Sequence, residues 1–190
     1  MTAARILTVR QPWAWAIVHG GKTVENRVRN IAGDYRGPVL IHASKSFDDS
    51  AWATVEGLSQ KRFMPEVDVR GAIIGLVDLV DVHSASVMGG CGRMRHDCPV
   101  HGTCREHCSI WAQGPSPDGW FQHLVFENPR ALDAPIPYAG ALGLRKTDFG
   151  IEGDWLVEYH EPCKSPCAGT EYGCPPSCHM DPVARLVATS

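Results

Sequence analysis

Cysteine is absent from the first 90 residues of this 190-residue chain and again from residues 109 to 162, so all eight cysteines fall in two short pieces. No run of 18 or more uninterrupted apolar residues occurs, which excludes a conventional helical membrane span and leaves no membrane partner expected. The N-terminal residues pass straight into Ile6-Leu7-Thr8-Val9 without the apolar stretch and small-residue cleavage site of a secretory leader, and a cytoplasmic protein is expected. A basic surplus is also missing. Eighteen Lys and Arg stand against 21 Asp and Glu, for a formal charge of −3. That balance excludes wholesale coating of nucleic acid and leaves room for a small, focused contact. The length and a hydrophobic content of 44% fit one ordinary domain with decorations.

What is present is concentrated between residues 6 and 27. Ile6 to Arg10 reads as a buried strand, and Pro12 opens a short helix because its ring presets the backbone angle where an N–H would go unpaired. Gly20 and Gly21 close that helix by supplying the left-handed residue. A second strand then carries Lys22, Glu25 and Arg27. Arg5, Arg10, Lys22, Arg27, Arg29 and Arg36 precede position 40 against only Glu25 and Asp34, a local basic cluster within an acidic chain.

Further strands are predicted over 7–9, 23–27, 39–43, 72–82, 121–126 and 141–144, each rich in Val, Ile, Leu or Phe and bounded by Gly or Pro. The run from Ala72 to Val82 is too continuously apolar for a half-exposed strand and should be central. Residues 45–66 read as helical, with Phe47, Ala51, Val55 and Leu58 at helical spacing and Met64-Pro65 as the stop. The expected class is α+β, mostly β: a small barrel with one or two short helices.

Gln11-Pro12-Trp13-Ala14 followed by Gly21-Lys22-Thr23-Val24-Glu25-Asn26-Arg27 resembles the ASCH family, the activating-signal-cointegrator homology domains related to PUA RNA-binding modules. The likeness continues through Gly37 to Ser44, Gly71 to Asp78, Asn128-Pro129-Arg130, Pro135-Ile136-Pro137 and Gly140 to Leu144, and spans residues 5–84 and 118–147. It implies a PUA-like barrel, expected over 1–148; a Cys-rich insertion near 85–117 and a Cys-rich extension, 149–190, expected to pack on the barrel, stand outside the resemblance. It also implies that the cleft between the first helix and the second strand takes a ligand or RNA.

The insertion holds Cys91, Cys98, Cys104 and Cys108 among His96, His101 and His107, and the tail holds Cys163, Cys167, Cys174 and Cys178 with His179. Thiolates and imidazoles on short Gly- and Pro-rich loops suit tetrahedral zinc, and a structural metal at each quartet is the simplest partition. The two pieces sharing ligands, with His101, His107 or His179 replacing a thiolate, is a second arrangement. Disulfides are the alternative if the compartment is oxidising, and a redox or iron–sulfur role is a third. Neither quartet contains the paired Cys-x2-Cys of common zinc ribbons.

The candidate ligand or RNA residues are Arg10, Gln11, Trp15, Lys22, Glu25, Arg27, His42 and Ser44. Trp13 is expected in the core beside Ile17, with Trp15 outward as a stacking surface for a base. RNA or modified-nucleoside binding is the leading reading. One branch of the resembled family removes acetyl groups from N4-acetylcytidine with a Lys and a Thr three positions later. Here Glu25 stands three after Lys22, which weakens that chemistry and, through its charge, should keep the lysine protonated. Hydrolysis of an acylated nucleoside or of RNA through Lys22 and Glu25 stays open as the enzymatic alternative, and a protein-interaction adaptor built on the cysteine-rich knuckles is a third.

Overall fold

A computed structural model describes residues 2–61, 65–85, 90–92, 94–98, 102–116, 119–158 and 182–188. Two long stretches set the architecture: β1 (Thr2–Gln11) and β3 (Gly37–Phe47) lie parallel, and β4 (Ala72–Ser84) pairs antiparallel with β3 and with β9 (Gln122–Pro137). On the other side of β1 run β10 (Leu144–Glu152), β11 (Trp155–Glu158) and β12 (Pro182–Ala188) in antiparallel order. Because β12 also pairs with β9, seven strands close into a barrel. The short β2 (Val24–Arg27) hangs on β9 at the end of the sheet order. Within the insertion, β5 (Met94–Cys98) pairs with β6 (Gly102–Arg105), and β7 (Pro115–Ser116) with β8 (Gly119–Trp120).

Strand alternation divides the core in two. Ala4, Ile6, Leu40, Ile73, Leu76, Leu132, Phe149, Leu156, Ala184 and Leu186 form one cluster, drawn from every strand of the closed ring, and fill its interior. Their neighbours Leu7, Val9, Val39, Ile41, Val77 and Leu79 face the opposite way and pack with Ala14, Ile17 and Val18 of helix α1 (Trp13–Val18). Strands β1, β3 and β4 are thus buried on both faces, which is why they read as continuous apolar runs. Each fully buried Leu or Ile contributes about 1.5–3 kcal/mol relative to exposure. Gly21, at φ +71°, reverses the chain after α1 without the penalty a side chain would incur.

The helix expected over 45–66 is shorter. β3 continues to Phe47, a 3-10 turn covers Asp49–Ala51, and helix α2 occupies only Trp52–Ser59, ended by the left-handed Gln60. The alternation of Ser44, Lys45 and Ser46 extends the strand, so Phe47 enters the satellite cluster around Trp15, Val55, Val67 and Trp111 from a strand end. The strand expected at 141–144 begins only at Leu144, and β9 runs well beyond Phe126 to Pro137. Residue 148 lies within β10. Among the described residues no helix is long and apolar enough to cross a membrane.

Candidate functional site

Where β2 leaves α1, a cleft of about 1080 Å³ opens between the helix, the ends of β1 and β3, and the 137–143 segment. Arg10, Lys22, Glu25, Arg27, His42 and Ser44 all line it. Trp13, Asn26, Lys45, Asp48 and Gln113, which sequence reasoning did not single out as ligand residues, line it too.

At its centre is Glu25. Lys22 Nζ lies 3.2 Å from Oε2, and Arg27 Nε lies 3.2 Å from Oε1, so each oxygen holds one cation. The lysine also donates to the Val24 carbonyl, and Arg27 Nη2 donates to the Thr8 carbonyl at 3.1 Å, tying β2 to β1. Burial lowers the pKa of Lys22 as the largest influence, with the charge and hydrogen bond of Glu25 working against it. At the rim, Arg10 pairs with Asp48 at 3.3 Å, and Trp13 Nε1 donates to the same carboxylate at 3.2 Å.

The two tryptophans are reversed from expectation. Trp15 is buried in the satellite cluster, whereas Trp13 is half-buried and presents its ring to the cleft with Lys22 Nζ 5.6 Å from the ring centre. The helix enters with Pro12 at its cap, which turns Trp15 and Ala16 toward Val24 and α2. Gln11 is likewise outside the cleft. It is fully buried, its side-chain oxygen accepting from the Trp15 amide at 2.9 Å and its nitrogen donating to the Val69 carbonyl at 2.9 Å.

His42 Nε2 donates to the Tyr138 carbonyl at 3.0 Å, leaving Nδ1 buried and without a hydrogen-bond partner among the described residues. Gly140 makes this approach feasible, since a Cβ there would stand 2.6 Å from His42 Cε1. Burial holds the imidazole below its ordinary value of 6.5, opposed by the hydrogen bond to Tyr138.

A second cluster lies behind β2. His83 and His123 are register partners across β4 and β9, with ring centres 5.3 Å apart. Cys91 and Cys108 of the insertion stand beside them, and the four donor atoms lie within 4.8 Å of one another. This set could hold a metal ion. Two of its members, Cys91 and Cys108, belong to the expected quartet, and two barrel histidines join them; Cys98 and Cys104 belong to β5 and β6. Two histidines forty residues apart carry no spacing signal, and only the pairing of β4 with β9 joins them. Cys163, Cys167, Cys174 and Cys178 lie outside the described residues.

Closed seven-stranded ring, a helix packed on its outer face and the charged cleft together define a small barrel of the PUA-like class. A family model described as the ASCH domain matches residues 7–130, more than half of the chain. The protein belongs to the ASCH-domain family.

Proposed function

We propose that the cleft binds RNA or a modified nucleoside. The observation that carries this reading is the charge and surface of one cavity: Arg10, Lys22, Arg27 and Lys45 against Glu25 and Asp48, beside the exposed face of Trp13. Four cations facing two carboxylates favour an anionic ligand, and the indole face suits a stacked base. Glu25 is an acceptor for the edge of that base, while the arginines hold phosphate. The same reading makes the ion at the thiol–imidazole cluster zinc, in a stabilising role.

A second reading, amide hydrolysis on an N4-acylated cytidine, is favoured by one observation. A lysine whose pKa is lowered by burial is closer to serving as a base at neutral pH. Thr23, the neighbouring hydroxyl, bonds Ser109 at 2.8 Å and is not among the cleft-lining residues, so a threonine nucleophile finds no support.

Anisotropy of labelled single-stranded RNA, run through a salt series beside Lys22→Ala, separates these readings when paired with chromatography of N4-acetylcytidine. Binding that falls steeply with salt and weakens in the variant supports the module. Deacetylation lost in Lys22→Ala supports the enzyme. Salt-insensitive RNA binding counts against the first reading, and absence of both binding and turnover removes both.

A further inference from the structure

The cluster behind β2 has features that point past a stray grouping of donors. His123 is fully buried, and its Nε2 hydrogen-bonds the Gln113 carbonyl at 2.7 Å, which fixes the proton there and leaves the Nδ1 lone pair facing Cys91 Sγ at 3.2 Å and Cys108 Sγ at 3.5 Å. His83 Nδ1 donates to Asp81 Oδ2 at 2.6 Å, which leaves the lone pair on Nε2. Both imidazoles therefore carry the outer partner that orients a metal-binding histidine. A disulfide between the cysteines would need neither ring.

The sulfurs are prepared in the same sense. The Cys108 amide donates to Cys91 Sγ at 3.3 Å, a hydrogen bond that favours thiolate. Cys91 is carried there by Gly90, whose missing side chain lets the backbone press on Arg105 and Glu106, and by its own amide, which donates to the Glu106 carbonyl at 3.0 Å.

Donors at about 2.3 Å for sulfur and about 2.0 Å for nitrogen stand roughly 3.3–3.8 Å apart around a tetrahedral ion. The contacts of His123 Nδ1 with both sulfurs fall in or beside that range. One imidazole serving both sulfurs fits a single ion and not an iron–sulfur cluster, where the two ligand types would divide between metals.

The ligands also bear on the cleft. His123 is the register partner of Asn26 on β2, the strand that carries Glu25 and Arg27. Asn26 donates to the Trp111 carbonyl at 2.9 Å and accepts from the Gln113 amide at 2.9 Å, and Thr23 Oγ1 meets Ser109 Oγ at 2.8 Å. The segment that starts at Cys108 thus covers the edge of β2 that no strand covers in the sheet order, and it delivers Gln113 into the cleft.

We propose that His83, Cys91, Cys108 and His123 form a mononuclear tetrahedral zinc centre that fixes residues 108–113 against β2 and thereby holds one wall of the cleft. The ion is structural, with four protein ligands. Its effect on ligand affinity rests on the cleft reading above, but the centre and its hold on β2 do not.

The test uses the full chain purified under reducing conditions, with zinc measured by mass spectrometry. Cys108→Ser and His83→Ala are each expected to lose one equivalent relative to the parent, whatever the tail cysteines hold. His83→Cys keeps that equivalent, and Cys98→Ser and Cys104→Ser leave the content unchanged. Unchanged zinc in Cys108→Ser overturns the centre, and loss of the same equivalent in Cys98→Ser returns the ion to the four-thiol set. If the losing variants fail to fold, the His83→Cys protein loaded with Co²⁺ decides. A stronger sulfur-to-cobalt charge-transfer band than the parent's supports His83 as ligand, and an identical spectrum overturns it.

Hydrogen exchange before and after chelation then reads the hold on β2. Severalfold faster exchange over 106–116 and 22–27, with β1 and β3 unchanged, is the expected result. Unchanged exchange over those segments overturns the hold on the wall. Failure of the cleft reading is distinct, since it appears as zinc-replete protein that binds neither RNA nor nucleoside.

Discussion

Lys22 Nζ lies 3.2 Å from Glu25 Oε2, at a point where the lysine side chain is 2% exposed and the glutamate side chain 11%. Breaking such a buried pair from one side leaves a charge that neither water nor a partner screens, which typically costs about 3–5 kcal/mol. Glu25→Gln is expected to lower stability by an amount in that range. Adding Lys22→Met should recover part of the loss, because the stranded ammonium is then gone while Arg27 keeps only its bond to the Thr8 carbonyl. Urea denaturation of the two variants against the parent checks both statements.

The reversed tryptophans give opposite phenotypes. Trp15 is buried among Val24, Val55, Val67 and Trp111, and Trp15→Ala is expected to cost about 3–5 kcal/mol of stability through the cavity left behind. Trp13→Ala leaves less of a void but removes the indole face in the cleft. Its expected effect is a loss of RNA affinity of about 1–3 kcal/mol, the range for stacking of one base. Thermal melts and anisotropy titrations on the same two proteins separate the roles.

Gln11 joins three pieces of chain that strand pairing does not join: the end of β1, the Trp15 amide of α1, and the carbonyl of Val69. Gln11→Leu removes the amide while filling the space. It leaves the Trp15 N–H and the Val69 carbonyl without that partner, at about 1–3 kcal/mol for each such buried group. The melting temperature should fall, while the binding of RNA per folded molecule stays at the parent value.

Acid sensitivity follows from His42. Its folded pKa lies below the ordinary 6.5 because of burial, so the unfolded chain binds the proton more readily. The stability it contributes is complete above about 6.5 and is lost as pH falls through the lowered folded value. His19 titrates in the same sense, burial outweighing the attraction of Glu66. Denaturation midpoints between neutral and mildly acid pH should therefore decline, and His42→Gln should flatten the slope.

Gly140→Ala probes the roof of the cleft. A Cβ at that position meets His42 Cε1 at 2.6 Å and Nδ1 at 2.9 Å, closer than such contacts allow. The imidazole or the 138–143 segment must move, and weaker nucleoside binding with a nearly normal melt is expected. Calorimetric titration beside the parent measures it.

Local order in the chain determined a good deal. The apolar runs from Ile6 to Val9, Val39 to Ala43 and Ala72 to Val82 announce strands buried on both faces. Pro12 and Gly21 bound α1, and Lys22, Glu25 and Arg27 are close enough in sequence to meet around one carboxylate. These features rest on periodicity, turn chemistry and short spacing, which act between near neighbours. Tertiary structure decided the rest. Whether Trp13 or Trp15 faced the cleft depended on what Val24, Val55 and Trp111 brought to the far side of the helix. Gln113 reaches the cleft only because Asn26 holds it across 87 positions. His83 and His123 become a pair through the register of β4 on β9, and Cys91 and Cys108 find them through the fold of the insertion. Such contacts join residues whose separation in sequence carries no pattern, because their positions are set by strand pairing and packing over the whole barrel.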